Sequence, residues 1–106
     1  MKTVELFYLP NCPYCIKAKK AVEDLKAEHE IYSHVPLKWI DESEEEDYAD
    51  EHDYYYVPAV YYGSKMVFEA HPGDTLEIIK TGIKTAFDKV LYDNSGDEHM
   101  ESSKGS

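Results

Sequence analysis

Hydrophobic and polar positions fall in blocks along this chain, and the spacing inside each block predicts a conformation. Thr3 to Tyr8 is a β-branched, aromatic and apolar run closed by Leu9-Pro10-Asn11, which fits a buried first strand and a turn. From Pro13 onward Ile16, Ala18, Ala21, Val22 and Leu25 recur at helical spacing. Lys17, Lys19, Lys20, Glu23 and Asp24 are left to face solvent or cover the apolar edge. Pro13 in the first turn costs this helix nothing, because the N–H it lacks would have no intrahelical partner there. Val35 to Ile40 reads as a second short strand. Ser43-Glu44-Glu45-Glu46 then has the Ser-x-x-Glu spacing of a capping box and predicts a second, strongly acidic helix.

Beyond it, Val57-Pro58 leads into Ala59 to Tyr62, a Gly63-Ser64 turn and Lys65 to Phe68, which together predict an antiparallel β-hairpin. A final helix is expected from Asp74, a candidate N-cap, with Leu76, Ile79, Ile83, Ala86, Phe87 and Val90 as its core stripe. Gly82 inside that helix is a local weakness of up to about 1 kcal/mol relative to Ala. The order is β-α-β-α-β-β-α, and its first β-α-β unit should be a right-handed crossover between parallel strands. An α/β fold follows, with helices on both faces of a small mixed four-stranded sheet. Neighbouring members of Tyr54-Tyr55-Tyr56 and Tyr61-Tyr62 should point to opposite faces, most with their hydroxyls at the rim.

Length and charge narrow the picture. With 106 residues, 42% of them apolar, the chain can build one core and little more, so residues 1–92 are expected to form a single domain. The stretch Asp93 to Ser106 is rich in Ser, Gly and acids and is expected to be a disordered acidic tail. No apolar run approaches the roughly 20 residues needed to span a bilayer, and no leader is evident, so a cytoplasmic monomer without membrane contact is expected. The net charge of -11 is not spread evenly: residues 41–53 carry -9 and residues 93–106 carry -3, which leaves +1 on the rest. No basic stripe interleaved with aromatics is present, which argues against nucleic acid as a partner.

The chemistry rests on the two cysteines, Cys12 and Cys15. So close a pair cannot staple distant parts of a fold. Cys12 lies at the strand-to-helix junction, where unpaired N–H groups and the positive end of the helix dipole stabilise a thiolate. Cys15 is one turn further on the same face and leans back toward the helix start, within reach of Cys12. Two chemistries fit. One is dithiol exchange, with Cys12 attacking a substrate disulfide and Cys15 resolving the mixed disulfide. The other is metal or iron-sulfur binding, which needs further ligands from His29, His34, His52, His71 or His99, or from a second copy. No two of those histidines sit at close ligand spacing.

Cys12-Pro13-Tyr14-Cys15 after an apolar strand, with Val57-Pro58 before a hairpin and a closing amphipathic helix, resembles the glutaredoxin branch of the thioredoxin superfamily over residues 2–92. The resemblance implies a thioredoxin/glutaredoxin fold and a disulfide reductase with no bound cofactor. Glutathione, or thioredoxin reductase with NADPH, would be its external reductant. Disulfide-bearing proteins or small molecules would be its substrates. It makes Cys12 the nucleophile, Cys15 the resolving thiol, Pro58 a cis-proline and Val57 a backbone edge for an extended substrate. Tyr14 is expected to be exposed beside the thiols, where it can touch substrate or serve simply as helix-start surface. Three departures bear on the substrate. Tyr8-Leu9-Pro10-Asn11 stands where the family often has a basic residue, Tyr56 replaces the Thr of Thr-Val-Pro, and His71-Pro72 precedes Gly73-Asp74 in place of Gly-Gly. Asp74 matches the family's acidic residue near the glutathione amino group and reads equally well as a helix cap. The acidic segment leads into Val57-Pro58, so its charge should stand near the substrate groove and repel an anionic tripeptide.

Overall fold

The computed structural model describes residues 3–99. Its elements are β1 (Val4–Tyr8), α1 (Pro13–Glu28), a 3-10 turn (Glu30–His34), β2 (Leu37–Asp41), α2 (Glu46–Asp50), β3 (Ala59–Tyr62), β4 (Lys65–Glu69) and α3 (Leu76–His99). One sheet runs in the order β2-β1-β3-β4. β1 pairs in parallel with β2, from Val4 opposite Leu37 to Tyr8 opposite Asp41, and α1 supplies the crossover that a parallel pair requires. β3 is antiparallel to β1 and to β4, and the hairpin turns through Gly63 at φ 67°, a left-handed value that favours glycine.

Strand alternation sorts the apolar side chains into two unequal layers. Val4, Leu6 and Val60 face α1 and α3, where they meet Ala18, Val22, Leu25, Ile79, Ile83 and Phe87 among others. The opposite face is thinner, with Phe7, Ile40, Ala49, Ala59 and Tyr61 as its buried residues. Tyr48, Tyr54 and His52 close that side around the Phe7 ring, at centroid distances of 5.9, 5.2 and 4.6 Å. The tyrosine hydroxyls find partners at the rim: Tyr48 donates to Glu5, Tyr54 to Glu42, Tyr61 to the Asp53 carbonyl and Tyr32 to Asp88.

Four expectations are corrected. The capping box does not form: Ser43 Oγ donates to Asp41 Oδ1 at 2.6 Å, the Ser43 N–H does so at 2.9 Å, and α2 begins only at Glu46. Asp41, at the end of β2, competes successfully for the serine by closing a local turn. Asp74 is not the cap of α3 either. Thr75 Oγ1 accepts the Ile78 N–H at 3.2 Å, while Asp74 Oδ2 accepts the His71 N–H at 2.8 Å and closes the preceding loop. Gly82 is more than a propensity loss, because a Cβ there would lie 2.3 Å from the Phe68 ring, and β4 could not approach α3 so closely over any other residue. Finally, α3 runs to His99 and so passes the expected domain boundary at residue 92 into the stretch read as an acidic tail. The rest of the expected acidic tail, 100–106, lies outside the described residues. The 3-10 turn was not foreseen; one turn has no apolar period to read, yet its Tyr32 is buried against Phe87 at 5.8 Å. No helix among the described residues is long and apolar enough to cross a membrane.

Candidate active site

Cys12 is the N-cap of α1, with extended backbone angles of φ -79° and ψ 126°. Its carbonyl accepts the N–H groups of Cys15 and Ile16 at 3.0 Å, so the first turn closes directly over it. The thiol is partly exposed and donates to the Val57 carbonyl at 3.8 Å. Cys15 is only 2% exposed, and its Sγ accepts the Leu9 N–H at 3.4 Å. Burial pushes the Cys15 thiol up to about 12; the Leu9 N–H works against this, and the neighbouring Cys12 sulfur and Glu42 reinforce it. The two sulfurs therefore occupy different environments one helical turn apart, one at the surface and one held protonated within. Both are free thiols.

The wall opposite Cys12 is the chain at Val57-Pro58, whose peptide bond is cis. The end of β4 secures this stretch from both sides. The Ala70 N–H donates to the Pro58 carbonyl at 3.0 Å. On the other side, Glu69 Oε2 accepts the N–H groups of both Tyr55 and Tyr56, the latter at 2.8 Å. Val57 lies between these anchors.

A third wall is the loop before α3. The Gly73 N–H donates to the Tyr14 hydroxyl at 2.8 Å, and Lys17 Nζ donates to the Asp74 carbonyl at 3.2 Å while lying 5.0 Å from the Tyr14 ring centroid. Tyr14 is thus half-buried and engaged with this loop rather than exposed as expected, because a ring at the helix start can pack on the facing core and still place its hydroxyl on a backbone donor. Asp74 is partly buried, and its carboxylate is occupied with the His71 N–H.

Next to Val57, a groove of about 650 Å³ runs along α2, lined by Leu9, Glu42, Glu46, Asp50, His52 and Tyr55 among others. The acidic segment does border the Val57 stretch, as its position in the sequence suggested. His52, one of the groove's lining residues, donates from Nδ1 to the Tyr48 carbonyl at 2.9 Å, and its Nε2 lies 4.0 Å from Glu5 Oε1.

The structure brings together Cys12, Cys15, Tyr14, Val57, Pro58 and the Asp74 loop. Two residues escaped the sequence reading. Leu9 contributes only a backbone N–H, which leaves no signature in a side-chain pattern. Glu69 had a faint one, an acid directly after the apolar Met66-Val67-Phe68 run. Among the described residues no group of three or more His, Cys, Asp or Glu side chains comes together as a metal site, so metal binding gains no geometric support.

The family model for glutaredoxin matches residues 4–67, more than half of the chain, and that span includes both cysteines and Val57-Pro58. A search of curated proteins returned no match.

Proposed function

The chain belongs to the glutaredoxin family, whose members are thiol-disulfide oxidoreductases, and on that premise we propose that it reduces disulfides by dithiol exchange. The observation that carries the proposal is the asymmetry of the pair: Cys12 is accessible on the N-cap of α1 against the Val57 carbonyl, and Cys15 is buried and protonated one turn behind it.

In the first step the Cys12 thiolate attacks one sulfur of the substrate disulfide. A Cys12-substrate disulfide forms, and the other substrate half leaves as a thiolate that takes up a proton. Cys15 then loses its proton and attacks the Cys12 sulfur. The mixed disulfide breaks, an intramolecular Cys12–Cys15 disulfide forms, and the second substrate half leaves as a thiol. Two electrons have passed from the pair to the substrate. Keeping Cys15 protonated until the mixed disulfide exists prevents it from competing with Cys12 for the incoming disulfide. The pair is returned to the dithiol by glutathione or by a thioredoxin reductase with NADPH, and the exchange itself needs no bound cofactor.

The substrate is a protein or small molecule bearing a disulfide. Its chain lies along Val57, where strand-like backbone pairing suits an extended peptide. The carboxylates of Glu42, Glu46 and Asp50 beside that stretch disfavour an anionic tripeptide such as glutathione. The test is a disulfide-reduction assay run with each reductant on wild type, Cys12→Ser and Cys15→Ser. Cys12→Ser should lose turnover with both reductants. Turnover that survives in Cys12→Ser sinks the proposal, and activity of Cys15→Ser with glutathione alone would assign a monothiol route.

A further inference from the structure

Glu69 lies at the end of β4, two residues beyond the family-matched span, with its side chain only 13% exposed and its hydrogen bonds made to backbone. One carboxylate oxygen takes two consecutive N–H groups, those of Tyr55 and Tyr56; the other lies 3.9 Å from His71 Nε2. The Tyr56 ring stands 5.3 Å from that imidazole. Consecutive N–H groups on one carboxylate oxygen fix the direction of the chain that carries them, and a charged acceptor makes such bonds stronger than neutral ones. The next residue is Val57, whose carbonyl faces the Cys12 thiol, and the Ala70 N–H holds the chain again immediately after the cis bond. Among the described residues, Glu69 is the side chain that accepts the N–H groups of residues 55 and 56.

Resting on the dithiol-exchange function above, we propose that Glu69 is a positioning residue for that reaction: its carboxylate holds the Val57 backbone beside Cys12, so that a peptide disulfide can pair with the Val57 edge while its sulfur meets the Cys12 thiol. Glu69 touches neither sulfur. It acts through the 55–56 backbone, so its removal should weaken substrates that use the Val57 edge and leave the thiol chemistry alone.

The experiment compares wild type, Glu69→Ala and Glu69→Gln on two disulfides, a short cystine-bridged peptide and bis(2-hydroxyethyl) disulfide, which has no backbone to pair. Glu69→Ala should raise KM for the peptide about tenfold, equivalent to about 1.4 kcal/mol of lost interaction, with kcat little changed. Its kinetics on the small disulfide should stay within about twofold of wild type. Glu69→Gln keeps a carbonyl acceptor and should recover most of the peptide KM, and amide exchange at Tyr55 and Tyr56 should quicken in Glu69→Ala far more than in Glu69→Gln. Equal losses on both disulfides, in a variant that is still folded, would mean a merely structural role and overturn the proposal. So would an unchanged peptide KM. A wild type that reduces neither disulfide would instead overturn the dithiol-exchange function itself.

Discussion

The Leu9 N–H points at the sulfur of Cys15 from 3.4 Å, a backbone donor aimed at a thiol that is only 2% exposed. A single N–H is too little to offset burial, and the thiol stays up at about 12. This has a consequence for alkaline stability. A thiol is neutral when protonated, so a raised value in the folded chain means that the unfolded chain loses this proton first. Cys15 therefore contributes stability in full below its ordinary value of 9.0, and that contribution drains away as the pH rises toward about 12. The slope approaches one proton, about 1.4 kcal/mol per pH unit. Urea titrations of reduced protein between those limits should show a steeper pH loss in wild type than in Cys15→Ala. Parallel curves would refute it. Tyr48, pushed up to about 12 by its bond to Glu5 and by burial, adds to the loss in both proteins and so cancels in the comparison.

The same difference in enclosure predicts an order of chemical modification. Iodoacetamide added to the reduced protein near neutral pH should label Cys12 first, giving a singly modified species by mass spectrometry before any doubly modified one, since Cys15 is 2% exposed. Label found first on Cys15 would contradict the assignment of Cys12 as nucleophile.

Gly82→Ala should destabilise the protein. Helix propensity alone favours Ala by up to about 1 kcal/mol, but a methyl group 2.3 Å from the Phe68 ring forces β4 or the ring to move. Overpacking of this kind costs roughly 1–3 kcal/mol, so the net loss should be about 1 kcal/mol in chemical denaturation. Phe68→Leu in the same background should recover part of it. A Gly82→Ala protein as stable as wild type would show that the ring yields freely.

Neutralising the α2 side of the groove should shift substrate choice by charge. Glu46→Gln combined with Asp50→Asn should improve kcat/KM for an anionic disulfide and worsen it for a cationic one, by a few-fold each at low salt. Both effects should shrink at high ionic strength, because these exposed side chains are readily screened. Equal changes for both disulfides would mean that the carboxylates do not read charge.

How much of this was legible in the sequence depended on how local its cause was. The Cys12-Cys15 geometry follows from helix periodicity and a proline in the first turn, and the hairpin from a glycine turn between β-branched runs. Helix starts were harder, since Ser43 and Asp74 both match the cap pattern and both are taken by nearer turn partners, Asp41 and the His71 N–H. Contacts that need the finished sheet were out of reach. Glu69 meets Tyr55 and Tyr56 only once β4 has folded back on β3, and Gly82 needs its smallness only because Phe68 arrives from a different element. A pattern along the chain records which residues can be buried, not which strand end will present a carboxylate to which loop.

The two sheet faces are unequal, with α2 and a few aromatic rings on one and both long helices on the other. Cooperative opening follows buried apolar contact, so amides of α2 should lose hydrogen-exchange protection well before those of α1 and α3. The Glu46 and Asp50 carboxylates in the groove beside Val57 stand on this lightly anchored layer, whereas the cysteines start a helix built into the heavy one. On the proposed function, substrate preference can thus drift through mutations in α2 with little risk to the fold, while the thiol pair stays fixed to the part of the protein least free to change.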